Sequence, residues 1–233
     1  MQVSEEILTK VNNEIEILIE KYKEVPVSTL MEEIGISSGS KNSLSVLTKR
    51  LIAYTELINL SQLEDSDKFK IKTVKLDKYG KLKESMSFPA FKYTDIAEEK
   101  WENSGLRGYF SKNILAFTVY QGKGKETYLK KIVLWKMPAN VLEEGVRKVW
   151  ENTQKCILTG EIVKYIDDKG RYYTFFPSST ESPYMHVRPH AQNREDTNLL
   201  PVADKLTGLV QYPKHCFWLN RSYVLKIITR EGR

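Results

Sequence analysis

The sequence predicts an α/β fold from three observations: apolar residues spaced by three and four over the first sixty positions, an alternating pattern that begins near Lys68, and a helical segment between later strand-like runs. A chain of 233 residues can bury one sizeable core or two small ones without disulfides or metals. The expected organisation is a helical lobe over residues 1–60 joined to an α/β core over 61–233 in one structural unit.

In chain order, Ile7, Leu8, Val11, Ile15, Leu18 and Tyr22 form one face of an amphipathic helix that Ser4 caps and Pro26 ends. Ser28 caps a short helix over residues 29–34, closed by Gly35, and Leu44, Val46, Leu47, Leu51, Tyr54 and Leu57 mark a third. Beyond Lys68, Phe69, Ile71, Thr73 and Leu76 point one way with lysines between them, and the turn Asp77-Lys78-Tyr79-Gly80 predicts a hairpin with a second extended run to Phe91. Strands are expected at 113–121 and 128–135, and a helix from Pro138 to about Cys156. A hairpin follows, of 161–166 with 171–176, then a strand and loop at 185–193 and a helix around 199–206. An aromatic strand at 215–219 and a helix over 220–229 complete a mostly antiparallel architecture. Gly122-Lys123-Gly124-Lys125 lacks the spacing and the Ser/Thr of a phosphate loop and reads as a hairpin turn.

The net charge of +6 permits an acidic partner without requiring one, and its distribution is more telling. Seven lysines and one acid lie between Lys68 and Lys83, and eight Lys/Arg face four acids from Tyr184 to Arg233. Two basic stretches could line one groove. Cys156 and Cys216 sit in apolar runs, as small buried hydrophobes in a reducing cytoplasm do. With no run of about eighteen apolar residues and an acidic N-terminus, neither a membrane span nor a signal peptide is read, and a cytoplasmic location without a membrane partner is expected.

The densest collection of hydrogen-bond donors is Met185-His186-Val187-Arg188-Pro189-His190-Ala191-Gln192-Asn193-Arg194, a strand ending in a proline-stiffened loop. Arg188 can pair with guanine O6 and N7, His190 with a base edge, Gln192 and Asn193 with adenine, and Arg194 with a phosphate. Residue types alone leave base reading and an ordinary solvated loop both open. A zinc site from His186, His190, His215 and Cys216 is disfavoured, because Pro189 breaks a helical spacing and adjacent strand residues face opposite ways. Residues 27–57, with Lys49 and Arg50, offer a helix-turn-helix regulator as an alternative, although residues 37–42 make its turn too long.

Several runs together resemble the MutH family, and within it the C-terminal half of a GATC-cutting type II restriction endonuclease: Lys72-Thr73-Val74, Trp135-Lys136-Met137-Pro138, Val146-Arg147-Lys148-Val149-Trp150, His186-Val187-Arg188-Pro189-His190 and Phe217-Trp218-Leu219-Asn220-Arg221-Ser222-Tyr223. The resemblance runs from about Phe69 to the C-terminus and implies a restriction-endonuclease-like α/β fold with a central mixed sheet. It also implies that Arg188, Pro189 and His190 enter the major groove at GATC, supported by Gln192, Asn193, Arg194 and Arg221. His190 stands where the family carries lysine.

Nucleases of this family hold Mg²⁺ with an Asp and the Glu of a Glu-x-Lys pair, since the ion prefers carboxylate oxygens. The matching triplet here is Lys70-Ile71-Lys72, in which an ammonium replaces the carboxylate. The upstream Asp has no secure counterpart: Asp65 and Asp67 are near, but the family spacing falls at Leu63. The resemblance therefore implies a non-catalytic, allosteric half that binds double-stranded GATC DNA without a cofactor, beside a Mg²⁺-dependent catalytic half, and that can form a homodimer on the palindrome. The competing reading is a self-sufficient Mg²⁺-dependent endonuclease with carboxylates recruited from Asp65, Asp67, Asp77 or Glu84.

Overall fold

The computed structural model describes residues 5–37, 42–53 and 69–229. They form helices α1 (Glu5–Tyr22), α2 (Val27–Ile34) and α3 (Ser43–Ala53), then strands β1 (Phe69–Leu76) and β2 (Met86–Ala90). Two short helices follow, α4 (Tyr93–Glu98) and α5 (Gly105–Lys112), then β3 (Ile114–Lys123) and β4 (Glu126–Trp135). A π-helical stretch, Val141–Val146, leads into α6 (Arg147–Thr159). The remainder is β5 (Val163–Ile166), β6 (Tyr172–Thr174), β7 (Met185–Pro189), β8 (Thr197–Leu199), β9 (Gln211–Pro213), β10 (His215–Leu219) and α7 (Arg221–Thr229). No described helix is long and apolar enough to cross a membrane.

The chain divides into two compact units, Met1–Lys83 with Lys112–Lys136 and Ile227–Arg233, and Glu84–Ser111 with Met137–Lys226. The first is built on a mixed sheet of order β1-β3-β4, in which β1 runs parallel and β4 antiparallel to β3. The helical periodicity of α1 to α3 covers it: Val11, Ile15, Leu18, Leu30, Leu47 and Leu51 are buried in one cluster with Phe69 and Leu129. Thr48 on α3 reaches the sheet through a 2.7 Å bond to the Tyr120 hydroxyl. The expected N-cap Ser4 and the helical residues Tyr54 and Leu57 lie outside the described residues.

The second unit carries the antiparallel sheet β2-β10-β7 and two ribbons, β5-β6 and β8-β9. β2 is an edge strand, which suits Pro89, a residue with no N–H to give a neighbour. Phe88 packs edge-on against Tyr109 and Phe110 at ring separations of 5.3 and 4.9 Å.

Four local expectations are corrected. The hairpin after β1 is a single bridge, Leu76 to Leu82, because the next strand pairs with β10. Leu76 lies on the lysine side of β1, since an unbroken register with β3 puts it in phase with Lys70, Lys72 and Val74. Ser28 does not cap α2: the helix begins at Val27 after Pro26, and the Ser28 hydroxyl donates to the Lys125 carbonyl. The expected helix over 199–206 is absent. Pro201 interrupts it, and Asp204 orders the chain by accepting the N–H groups of Ile162, Val163 and Thr207.

Candidate nucleic-acid interface

The donor-rich loop leaves the end of β7, whose neighbour β10 pairs Cys216 with Arg188 and Trp218 with His186. Period-two alternation puts these four side chains on one face of the pair. The Arg188 guanidinium lies 5.3 Å above the Trp218 ring, and the His190 ring meets the same indole edge-on at 6.0 Å. A planar cation resting on an aromatic face keeps its outward N–H groups available, so Trp218 orients Arg188 without consuming its hydrogen bonds. Arg188, Pro189, His190, Gln192, Asn193 and Arg194 are all exposed.

The loop is held by its own backbone. His190 and Ala191 N–H both donate to the Lys214 carbonyl, at 2.8 and 3.2 Å. Asn193 Oδ1 accepts the N–H groups of Glu195 and Asp196, each at 2.9 Å, which commits its carbonyl end to the turn and leaves only its amide NH₂ to reach outward. Asp196 accepts the Gln192 N–H at 3.0 Å and the Lys214 ammonium at 2.5 Å. The Lys214 contact, followed by the Gln192 N–H, holds the Asp196 carboxyl below its ordinary range. Arg221 is exposed at the start of α7, where its N–H donates to the Ser85 hydroxyl.

The buried histidines are committed to structure. His186 Nδ1 donates to Asn220 Oδ1 at 2.5 Å, and Asn220 Nδ2 donates to the Ser182 carbonyl at 2.6 Å. Burial pushes His186 down. His215 Nδ1 donates to the Pro213 carbonyl at 2.7 Å, which also accepts the Tyr93 hydroxyl, and burial lowers the imidazole to about 4. Trp218, Lys214 and Asp196 escaped the sequence reading. The alternation that places Trp218 across from His186 was visible in principle, but only the β7–β10 register reveals the pairing.

Lys70 and Lys72 lie on β1 in the other unit, opposite Leu115 and Phe117. This donor set does not fit Mg²⁺, because both side chains are cationic. Asp77, at the end of β1, is engaged by the Tyr79 and Lys81 N–H groups in its own turn. Among the described residues no three His, Cys, Asp or Glu side chains are grouped to hold a metal; Leu63, Asp65 and Asp67 fall outside them.

No protein-family model matches the chain. It is 27% identical, over an alignment of 248 positions, to the type II restriction enzyme Sau3AI of Staphylococcus aureus. The alignment takes in 91% of the chain and 50% of that enzyme, so the chain spans about half the length of this curated relative. Through nearly all of its own length, the chain is therefore similar in sequence to part of a type II restriction enzyme.

Proposed function

We propose that this chain is a sequence-reading, non-cutting DNA module that binds double-stranded GATC as the allosteric half of a type II restriction system. The observation that carries the reading is the Arg188–Trp218–His190 arrangement, in which a guanidinium is pre-oriented at the lip of a backbone-held loop. Arg188 is the residue for guanine O6 and N7, and His190 and Gln192 address neighbouring base edges. Arg194 and Arg221 contact phosphates, which position the protein without specifying sequence. Its similarity to a restriction enzyme supports DNA as the partner.

Cleavage is assigned elsewhere, to a catalytic MutH-like half that supplies Mg²⁺ chemistry, because Lys70 places an ammonium where that chemistry needs a carboxylate. Binding of one GATC by this module would then favour cutting at another, with a coupling on the order of 1–3 kcal/mol. A palindromic target also suits two copies related by a two-fold axis.

The test is a fluorescence anisotropy titration of the chain with a GATC duplex and a scrambled duplex, at one salt concentration and with Mg²⁺, followed by a denaturing gel on the same samples. Tighter binding to GATC with intact strands is expected. Cut strands would transfer the activity to this chain, and equal affinities would reduce the loop to a non-specific basic surface.

A further inference from the structure

The lysine-rich run that ends β1 is joined in the fold by a second one, far away in sequence. β1 and β3 run parallel in unbroken register, with Lys75 beside Tyr120 and Leu76 beside Gln121, so both strands finish at the same end of the mixed sheet. There β1 passes into the turn over residues 77–81, closed by the Leu76–Leu82 bridge, and β3 passes into the β3-β4 turn, where Lys123 pairs with Glu126. Gln121 joins the two turns: its Nε2 donates to the Lys78 carbonyl at 3.4 Å. A Cβ at Gly122, which has φ +141°, would collide with the Glu126 carbonyl oxygen, so only glycine lets the second turn fold back this tightly. All of these residues belong to one compact unit.

Residues 75–83 and 121–126 carry six lysines against two acids, a local excess of four in a chain whose net charge is +6. Lys75, Lys78, Lys81, Lys83, Lys123 and Lys125 are all exposed. One of the acids, Asp77, accepts the Tyr79 and Lys81 N–H groups of its own turn at 2.9 and 3.0 Å. The neighbouring α1–α2 junction, bridged to β4 through Pro26 and Tyr128, adds Lys21 and Lys23 against Glu20 and Glu24 and leaves the excess unchanged. An ammonium on a flexible stem is a point charge suited to phosphate, and it lacks the paired donors that read a base edge. Neither turn contains an arginine, and Gln121 is tied to the first turn. Such a surface takes a polyanion without regard to its sequence.

We propose that this end of the mixed sheet is a second DNA contact, which holds the phosphate backbone of a duplex independently of the donor-rich loop carried by the other unit. It rests on duplex DNA as the proposed partner and is indifferent to GATC. The lysines of the two turns supply affinity that falls with salt, because each phosphate they neutralise releases counterions, whereas the loop supplies the preference among sequences.

The experiment is an anisotropy titration of the chain and its variants with the GATC and scrambled duplexes over a series of salt concentrations. Lys78→Gln/Lys81→Gln and Lys123→Gln/Lys125→Gln should each weaken binding to both duplexes by about tenfold or more and lower the slope of log affinity against log salt by about two, since each phosphate contact contributes about 0.9. The ratio of the two affinities and the circular-dichroism melt should stay as in the parent. Lys123→Arg/Lys125→Arg keeps the charge and should bind as the parent does. Lys10→Gln/Lys155→Gln removes the same charge from exposed positions on α1 and α6 and should leave the slope nearly unchanged. Parental slopes in both turn variants overturn the proposal, as does an equal loss in the Lys10/Lys155 variant or a failure of the arginine pair to bind. Equal affinities of the parent for the two duplexes would instead overturn the GATC reading alone.

Discussion

The chain contains two three-stranded sheets that differ in what they expose. The mixed sheet β1-β3-β4 is covered by helices, and its first strand carries Lys70 and Lys72, opposite Leu115 and Phe117 on β3. The antiparallel sheet β2-β10-β7 ends instead in a loop of exposed donors, oriented by Trp218 and by the Lys214 carbonyl. Base reading needs donors held still, whereas cutting needs carboxylates gathered around a cation. On the proposed reading, the exposed donors and the Lys70–Lys72 strand belong to different compact units, so a change in one should leave the other unaltered.

The strongest challenge to that separation is Phe117→Ala. Phe117 is fully buried on β3, and its truncation should cost about 3–5 kcal/mol in urea denaturation. Under conditions where the variant stays folded, its ratio of GATC to scrambled affinity should match the parent. A collapsed ratio would mean that the two sheets act together.

Acid should act on the second sheet through His215, which faces the Tyr93 hydroxyl, the Pro213 carbonyl and the Tyr212 ring. Its folded value of about 4 lies below the ordinary 6.5, so the unfolded chain binds the proton in between. Stability is full above about pH 6.5 and declines as pH falls towards 4, by up to about 3 kcal/mol. Denaturation midpoints of His215→Phe should show a flatter pH profile across that window than the parent; equal slopes would remove His215 as the cause.

Arg188→Ala should lower discrimination for GATC by about 1–3 kcal/mol, roughly tenfold to a hundredfold in the affinity ratio, without altering the melting temperature. Arg50→Ala bears on the helical alternative. Its guanidinium donates to the Ile34 carbonyl at 2.7 Å, tying α3 to the end of α2, so the variant should lose about 1 kcal/mol of stability and keep its sequence preference. The smallest effect is expected at Arg194: Arg194→Ala should weaken binding to both duplexes alike and reduce the slope of log affinity against log salt by about one.

Local signals carried much of this architecture. Gly35, with φ +69°, ends α2 where a left-handed residue was expected, and Asp167 closes its turn by accepting the Lys169 and Arg171 N–H groups. The aromatic strand His215–Leu219 has the expected bounds. Residues 92–112 had suggested no element, and their short helices are anchored from a distance: Gln154 donates to the Ile96 and Glu99 carbonyls, and Trp101 to Glu143. In the candidate interface, the exposed donors Arg188, His190, Gln192 and Arg194 were legible because a loop dense in such residues is a local property.

The sequence by itself determined the periodicities, the turns, the donor-rich loop and the cationic Lys70-Ile71-Lys72 run, since each is settled by residues within a few positions of one another. Tertiary structure alone decided that β2 joins β10 instead of β1, that residues 199–206 are pinned by Asp204 instead of coiling, and that Trp218 lies under Arg188. Alternation says which side a side chain faces but not which strand edge lies beside it. That choice is made by backbone hydrogen bonds and buried side chains far apart in the chain.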